Sequence, residues 1–365
     1  SKMTASPLRV ACFVSSHGFG HATRMSAIIN QICRKDNRAE IMIFSQVPSW
    51  FWPANLPRDC NIQVINEVTD VGLVQKGPFH HSLEDSFFRV EEFLSFSDSR
   101  TKRCTALLRS SNPHLVLCDI SPLGIELGNR LQIPTVLLEN FTWDWIYQSY
   151  TGQYPGFQHL VEKLKKIYDK TDLRIQCRPF CNEVKNCPSV NPIFRFPQTD
   201  RDIVLSRLGL SSSDKYVILT TGGIPMKHEI LQDTHGFHVI IPGDYNSINR
   251  QDKVTYIPMN CEIAFIDLVQ SSSHVIGKAG YSTVSECWGM NIPFTGVFRE
   301  DFPESQVLRE FCQKALTFNE ISHLAFIDGS WFELFEDLPI TNMEHSPKIN
   351  GATQAVDEIV SFINE

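Results

Sequence analysis

Short apolar runs alternate with longer amphipathic segments along this chain, and the alternation starts twice. LRVACFVS at Leu8–Ser15 reads as a buried strand, and His21–Arg34 as a helix with Met25, Ile28, Ile29 and Ile32 on one face. EIMIFS at Glu40–Ser45 is the next strand. A long helical stretch over Leu83–Arg109, a strand at Leu115–Cys118, a helix near Ile125 and a strand at Thr135–Leu138 follow. From Cys177 to Asp200, Pro, Asn and Cys accumulate as in a linker. Strands at Lys215–Thr220, His238–Ile241, Val254–Ile257, His274–Ile276 and Phe294–Val297 then resume the pattern, and an amphipathic helix closes it at Ala352–Ile363. Such alternation builds a parallel sheet covered on both faces. The expected fold class is therefore α/β, with one Rossmann-like domain over 1–200, a second over 201–350 and a terminal helix within 351–365. The length of 365 residues suits two cores. No short-period repeat suggests a solenoid.

Composition narrows the partners. A net charge of −8 argues against a nucleic-acid coat, which needs clustered Lys and Arg. It leaves room for a small anion, because a few backbone amides hold a diphosphate locally. The 11 cysteines are scattered, some inside apolar strands (Cys12, Cys118), and no apolar leader precedes the first strand. Reduced thiols in a cytoplasmic protein are expected. No apolar run approaches the roughly 18–20 residues that span a bilayer. Cys177, Cys181 and Cys187 lack a paired spacing and a following His, so no metal site is expected.

The first strand ends in SSHGFGH and flows into a helix, where glycines allow a tight turn and the helix start offers free N–H groups. A dinucleotide fingerprint fits poorly. Thr23 stands where the third glycine belongs, and the second strand ends at Ser45-Gln46 instead of an acidic residue. His21 lies at the mouth of the sheet, where an imidazole can take a proton from a hydroxyl if a carboxylate fixes its tautomer. Asp119, ending LVLCD, is the expected partner. Loop packing competes as an explanation for His21.

In the second half, GKAGYSTVSE at Gly277–Glu286 follows a strand and opens a helix. Gly280 admits a phosphate to the backbone, Thr283 adds a hydroxyl and Lys278 a charge. Glu286 lies about one turn on, where it can accept ribose hydroxyls. Gly222 and Gly223, after another strand, are expected to form a second wall. Glu304 and Gln306, in EDFPESQ, suit sugar hydroxyls or plain surface polarity. Trp143 and Asp144 are expected on the acceptor side, an aromatic face for stacking beside a hydroxyl acceptor. SWFWP at Ser49–Pro53 suits an acceptor, a peripheral membrane contact or satellite core.

HGFGHATR (His17–Arg24), CDISPLGIE (Cys118–Glu126), NFTWDWIY (Asn140–Tyr147), RPFC (Arg178–Cys181), GKAGYSTVSE and EDFPES occur in an order that resembles a known family. The family is that of glycosyltransferases with nucleotide-sugar donors, including the bacterial transferase that adds N-acetylglucosamine to the peptidoglycan precursor. The resemblance is closer to the amino-terminal, glycosyltransferase-like region of plant L-arabinokinase and its bacterial relatives. It implies a GT-B fold with a cleft between the domains, acceptor chemistry in the first, donor binding in the second, and the last helix crossing back to the first. It implies a base–aspartate dyad of His21 and Asp119, with His17, Gly18 and Gly20 in the acceptor-side loop. On the donor side it implies a diphosphate loop at Gly280, Tyr281, Ser282 and Thr283, a ribose glutamate at Glu286 and, more loosely, sugar contacts from Glu304 and Gln306. The expected function is an inverting, metal-independent glycosyltransferase, with a UDP-sugar as substrate, no cofactor and an unidentified acceptor. A nucleotide-sugar epimerase or hydrolase, or a non-catalytic nucleotide-sugar-binding protein, is the alternative. The ATP loop of the arabinokinase sugar-kinase domain has no counterpart in these residues, so kinase activity is not implied.

Overall fold

The apolar runs become two parallel sheets. A computed structural model describes residues 6–76, 80–221, 234, 236–330 and 348–365. One compact unit runs to Ile193 and takes in Asn350–Glu365; the other is Phe194–Ile349.

The first unit contains, in chain order, β1 (Arg9–Val14), α1 (Gly20–Lys35), β2 (Glu40–Ser45), α2 (Phe51–Asn55), β3 (Asn61–Asn66), β4 (Val74–Gln75), β5 (His81–Ser82), α3 (Leu83–Phe93) and α4 (Ser99–Ser111). It continues through β6 (Leu115–Asp119), α5 (Pro122–Arg130), β7 (Thr135–Glu139), α6 (Trp143–Gln148), α7 (Phe157–Asp169), β8 (Leu173–Cys177) and β9 (Ser189–Val190). Among the described residues its main sheet has the order β3-β2-β1-β6-β7-β8-β9, all parallel. Val10–Val14 and Leu115–Asp119 are shielded on both faces. Each such aliphatic contributes about 1.5–3 kcal/mol by leaving water, so the central strands carry the unit. Strand order reverses between β1 and β6, where Val14 sits in register with Asp119. Open α/β sheets bind ligands at such switch points, beyond the carboxyl ends of the strands.

The second unit repeats the plan with α8 (Arg201–Arg207), β10 (Tyr216–Thr220), β11 (His238–Gly243), β12 (Asn249–Gln251), β13 (Val254–Pro258), α9 (Phe265–Ser271), β14 (His274–Lys278), α10 (Tyr281–Met290), β15 (Phe294–Val297), α11 (Glu304–Ala315), β16 (Phe318–Glu320) and α12 (His323–Asp328). Its described strands run β12-β13-β11-β10-β14-β15-β16, antiparallel only at β12–β13. The order reverses between β10 and β14, where Thr220 pairs with Gly277. A Cβ on Gly277 would lie 2.0 Å from Thr220 Oγ1, so this close approach needs glycine. Last, α13 (Gly351–Ile363) packs on α1 and β8 of the first unit. Gln354 Oε1 there accepts from the Asn191 amide at 2.7 Å, and Lys35 pairs with Asp357.

Three expectations are corrected. The helical stretch Leu83–Arg109 is two helices, because Phe96 turns left-handed (φ 48°) and Asp98 caps α4 by accepting from the Thr101 amide. A capping carboxylate outweighs the apolar period that runs through it. Residues 177–200 do hold the boundary between the units, as a linker would, but they are docked rather than loose. Ser189–Val190 add β9 to the sheet, Cys181 N donates to Asn140 O, and Gln176 bonds both Asn182 O and the Val184 amide. Pro, Asn and Cys mark irregular backbone there, and side chains satisfy its polar groups. Finally, Cys33 on α1 and Cys60 before β3 form a disulfide with Cα atoms 6.4 Å apart, so not all cysteines are free thiols.

Candidate active site

β1 ends in a polar loop whose exposed Gly18 is left-handed (φ 68°), and the chain then enters α1. His21 falls in the first turn of that helix and Asp119 at the last position of the neighbouring β6. The two meet at the switch point, with His21 Nδ1 2.7 Å from Asp119 Oδ1. Arg24, one turn after His21, grips the same carboxylate with Nε on Oδ2 and NH2 on Oδ1, both at 2.7 Å. Its NH1 donates to Asn140 Oδ1 at 2.8 Å, beyond the end of β7. Four groups thus converge from three adjacent strands, His21 and Arg24 on the helix after β1, Asp119 at the end of β6 and Asn140 just past β7. Arg24, Asp119 and Asn140 are essentially sealed, whereas His21 keeps 9% of its surface exposed.

Electrostatics fixes the protonation pattern. Burial alone would push the Asp119 carboxyl up, but the charge of Arg24 and the hydrogen bonds from Arg24 and His21 outweigh it and hold it below the usual carboxylate range. An ionised carboxylate only accepts, so His21 Nδ1 is the donor and Nε2 is the ring's basic atom. The 3.3 Å approach of Arg24 NH2 to Nδ1 is two donors converging on one oxygen. Phe141 sets its ring edge-on to the imidazole, with centroids 5.8 Å apart. Ile120, next to Asp119, holds φ 50°, a strained conformation for a β-branched residue. Tyr168 OH donates to its carbonyl at 2.7 Å, and its own amide donates to Leu138 O.

The other acceptor-side residues form a wall on the same rim. His17 stands 3.8 Å from Asp70 and edge-on to Trp143. Trp143 donates from Nε1 to Asp70 Oδ2 at 2.8 Å. A Cβ at Gly72 (φ 67°) would fall 2.1 Å from His17 Nε2 and 2.7 Å from Trp143, so glycine lets the backbone pass beneath both. Trp143 is buried, its face spent on Tyr147 and Phe141 instead of an incoming ring. Asp144 is half-buried, its Oδ1 is a buried atom without a partner, and burial first of all raises its pKa. Phe51 and Trp52 are core, while half-buried Trp50 touches Phe19 of the glycine loop.

In the second unit, β14 delivers Lys278 and the chain enters α10 at Gly280, with no side-chain cap on the first-turn amides. Nothing lies within 4 Å of where a Gly280 Cβ would be. Ser282 and Thr283 are half-buried on that turn, and Tyr281 is buried. Lys278 reaches solvent. Its pKa lies below the ordinary value, first through desolvation and then through the charge of Arg299, with Glu304 opposing. Glu304 begins α11. Gln306 is exposed and engaged on its own helix by Glu310 and Arg309. Gly222 and Gly223 lie outside the described residues.

Glu286 is fully buried on α10. Arg195 donates to its Oε1 twice, from Nε at 3.0 Å and NH2 at 2.5 Å, while Oε2 is buried without a partner. Burial raises this carboxyl above the usual range, Arg195 pulling it down and Asp267 pushing it up. Arg24, Asn140, Arg195 and Arg299 were not among the residues singled out from the sequence. Only Arg24 carried a signal, its position one helical turn from His21. Among the described residues no cluster of His, Cys, Asp and Glu has metal-binding geometry, and no helix is long and apolar enough to cross a membrane.

No protein-family model matches the chain. L-arabinokinase of Arabidopsis thaliana is 22% identical over 353 residues, 93% of this chain but 33% of that protein. The chain thus spans about a third of the length of the curated relative it matches. Among solved structures, a UDP-glucosyltransferase from Polygonum tinctorium superposes with a TM-score of 0.60 at 12% identity, covering 100% of both chains. The Acinetobacter baumannii MurG superposes at 0.53 and 12% identity, covering 97% of this chain and 100% of that one. Identities this low establish the fold through both units.

Proposed function

We propose that this chain, which has the GT-B fold, is a glycosyltransferase. It moves a sugar from a nucleoside diphosphate sugar, a UDP-sugar in the first instance, to a hydroxyl acceptor with inversion at the anomeric carbon. The observation that carries this is the His21–Asp119–Arg24 array at the β1/β6 switch point. An acceptor hydroxyl hydrogen-bonded to His21 Nε2 gives up its proton as its oxygen bonds to the anomeric carbon, and the bond to the diphosphate oxygen breaks. Asp119 steadies the imidazolium that forms, and Arg24 keeps Asp119 ionised and aligned. In the second unit the uncapped start of α10, with Lys278 and Arg299 nearby, supplies counter-charge to the departing diphosphate. This counter-charge supports a metal-independent reaction. The likeness to a UDP-glucosyltransferase agrees with a sugar-nucleotide donor.

The test is turnover of UDP-, GDP- and CDP-sugars against an acceptor panel, with free nucleoside diphosphate as the readout. Acceptor-dependent release is expected, and His21→Ala should slow it about 10²–10⁴-fold while nucleotide affinity holds. Equal loss of turnover and affinity would remove His21 from the chemistry. Release of free or isomerised sugar without acceptor would replace transfer by hydrolysis or epimerisation.

A further inference from the structure

Arg195 follows the unit boundary almost directly, in a segment that is also fastened without it. The amides of Gln198 and Thr199 already donate to Asp267 Oδ1, at 2.7 and 3.2 Å. Its guanidinium lies 5.5 Å over the Phe265 ring and spends two donors on one oxygen of Glu286. The other oxygen, Oε2, is left buried and without a partner. Buried acceptors are costly to leave unpaired and are nearly always matched, so an orphan on α10, six residues after the open position of Gly280, points to a ligand. A guanidinium centred on the carboxylate would occupy both oxygens. Here it occupies one, keeps the charge on the group and fixes which atom remains.

We infer that Arg195 is a positioning residue for the donor, holding Glu286 by Oε1 so that Oε2 alone is presented to a ribose hydroxyl. The inference rests on the donor-site assignment above and deepens it, because it makes a ribonucleoside the required donor class. Oε2 has no solvent contact, so an entering hydroxyl displaces whatever covers it and forms its bond in dry surroundings, where charge-assisted bonds are strongest.

The experiment measures the affinity of the full chain for UDP, GDP and CDP, each beside its 2′-deoxy and 3′-deoxy counterparts, by calorimetry. In the wild type one deoxy form of the preferred nucleotide should bind at least about tenfold more weakly, the equivalent of one hydrogen bond to a charged acceptor. Arg195→Met should bring that ratio close to one, and Arg195→Lys should restore part of it. Thermal unfolding identifies any variant that fails to fold, in which case Arg195→Lys decides alone. A ratio unchanged in both variants, with all affinities lowered together, would show Arg195 to be only structural and overturn the inference. A wild type that binds no nucleoside diphosphate at all would instead overturn the donor-site assignment itself.

Discussion

Each unit buries a carboxylate under an arginine, Asp119 at the switch point of the first and Glu286 on α10 of the second, and the two arrangements differ in how far the carboxylate is satisfied. Both oxygens of Asp119 are satisfied, Oδ1 by His21 and Arg24 and Oδ2 by Arg24, and its carboxyl is held below the usual range. Only one oxygen of Glu286 is satisfied, by Arg195, and its carboxyl is raised. A saturated carboxylate has nothing left to offer a ligand and serves by orienting its neighbour. A half-saturated one keeps an unspent acceptor. Burial is alike in the two, so hydrogen-bond count decides the role.

The largest effect that sharpens this contrast is expected from Arg24→Met. It strands a fully buried anion and should cost about 3–5 kcal/mol of unfolding free energy, read by denaturant titration. Arg195→Met should cost less, since a carboxyl already raised takes up a proton more readily. Equal costs would break the comparison.

Next comes a pair of glycines. Gly72→Ala drives a Cβ into His17 and Trp143 at a left-handed position and should cost about 1–3 kcal/mol. Gly280→Ala meets only open space, so stability should stay within about 0.5 kcal/mol while nucleoside diphosphate binding weakens. If Gly280→Ala destabilises as much as Gly72→Ala, the opening before α10 is not a free site.

The smallest effect is set by pH. Asp119, depressed, stabilises the fold above the ordinary unfolded carboxylate pKa of about 3.9, and that contribution is lost only as pH falls through its lower folded value. Glu286, raised, has the opposite sign. Ionised, it is a stability cost above the unfolded value, and the cost is relieved as pH falls through its raised one. Nucleotide affinity should therefore decline in mild acid while unfolding free energy does not, as calorimetry and urea titration at matched pH would show. A parallel decline would mean the two carboxyls titrate together.

His21 and Asp119 were legible because the strands are. A run such as LVLCD declares its own end, and the polar residue at that end of a parallel strand must face the rim. The same logic located Gly280 at the start of α10 and Glu286 on it. It could not weigh Trp143, because an aromatic after a strand end looks the same whether it faces a ligand or, as here, is spent on Asp70 and Tyr147.

By itself the sequence determined the central strands of both sheets, where the two alternations begin and which chemical groups reach each rim, but not the outer strands β3, β8, β9, β12 and β16. Side-chain period, glycine turns and strand ends are local and need no partner to be read. Only the tertiary structure decided that Arg24 and Asn140 complete the His21 array, that Arg195 takes one oxygen of Glu286 and leaves the other, and that residues 177–200 are docked rather than slack. Arg24 finds Asp119 across 95 residues and Arg195 finds Glu286 across 91. Neighbours in sequence carry no trace of contacts at that range, which exist only once the sheets bring the strand ends together.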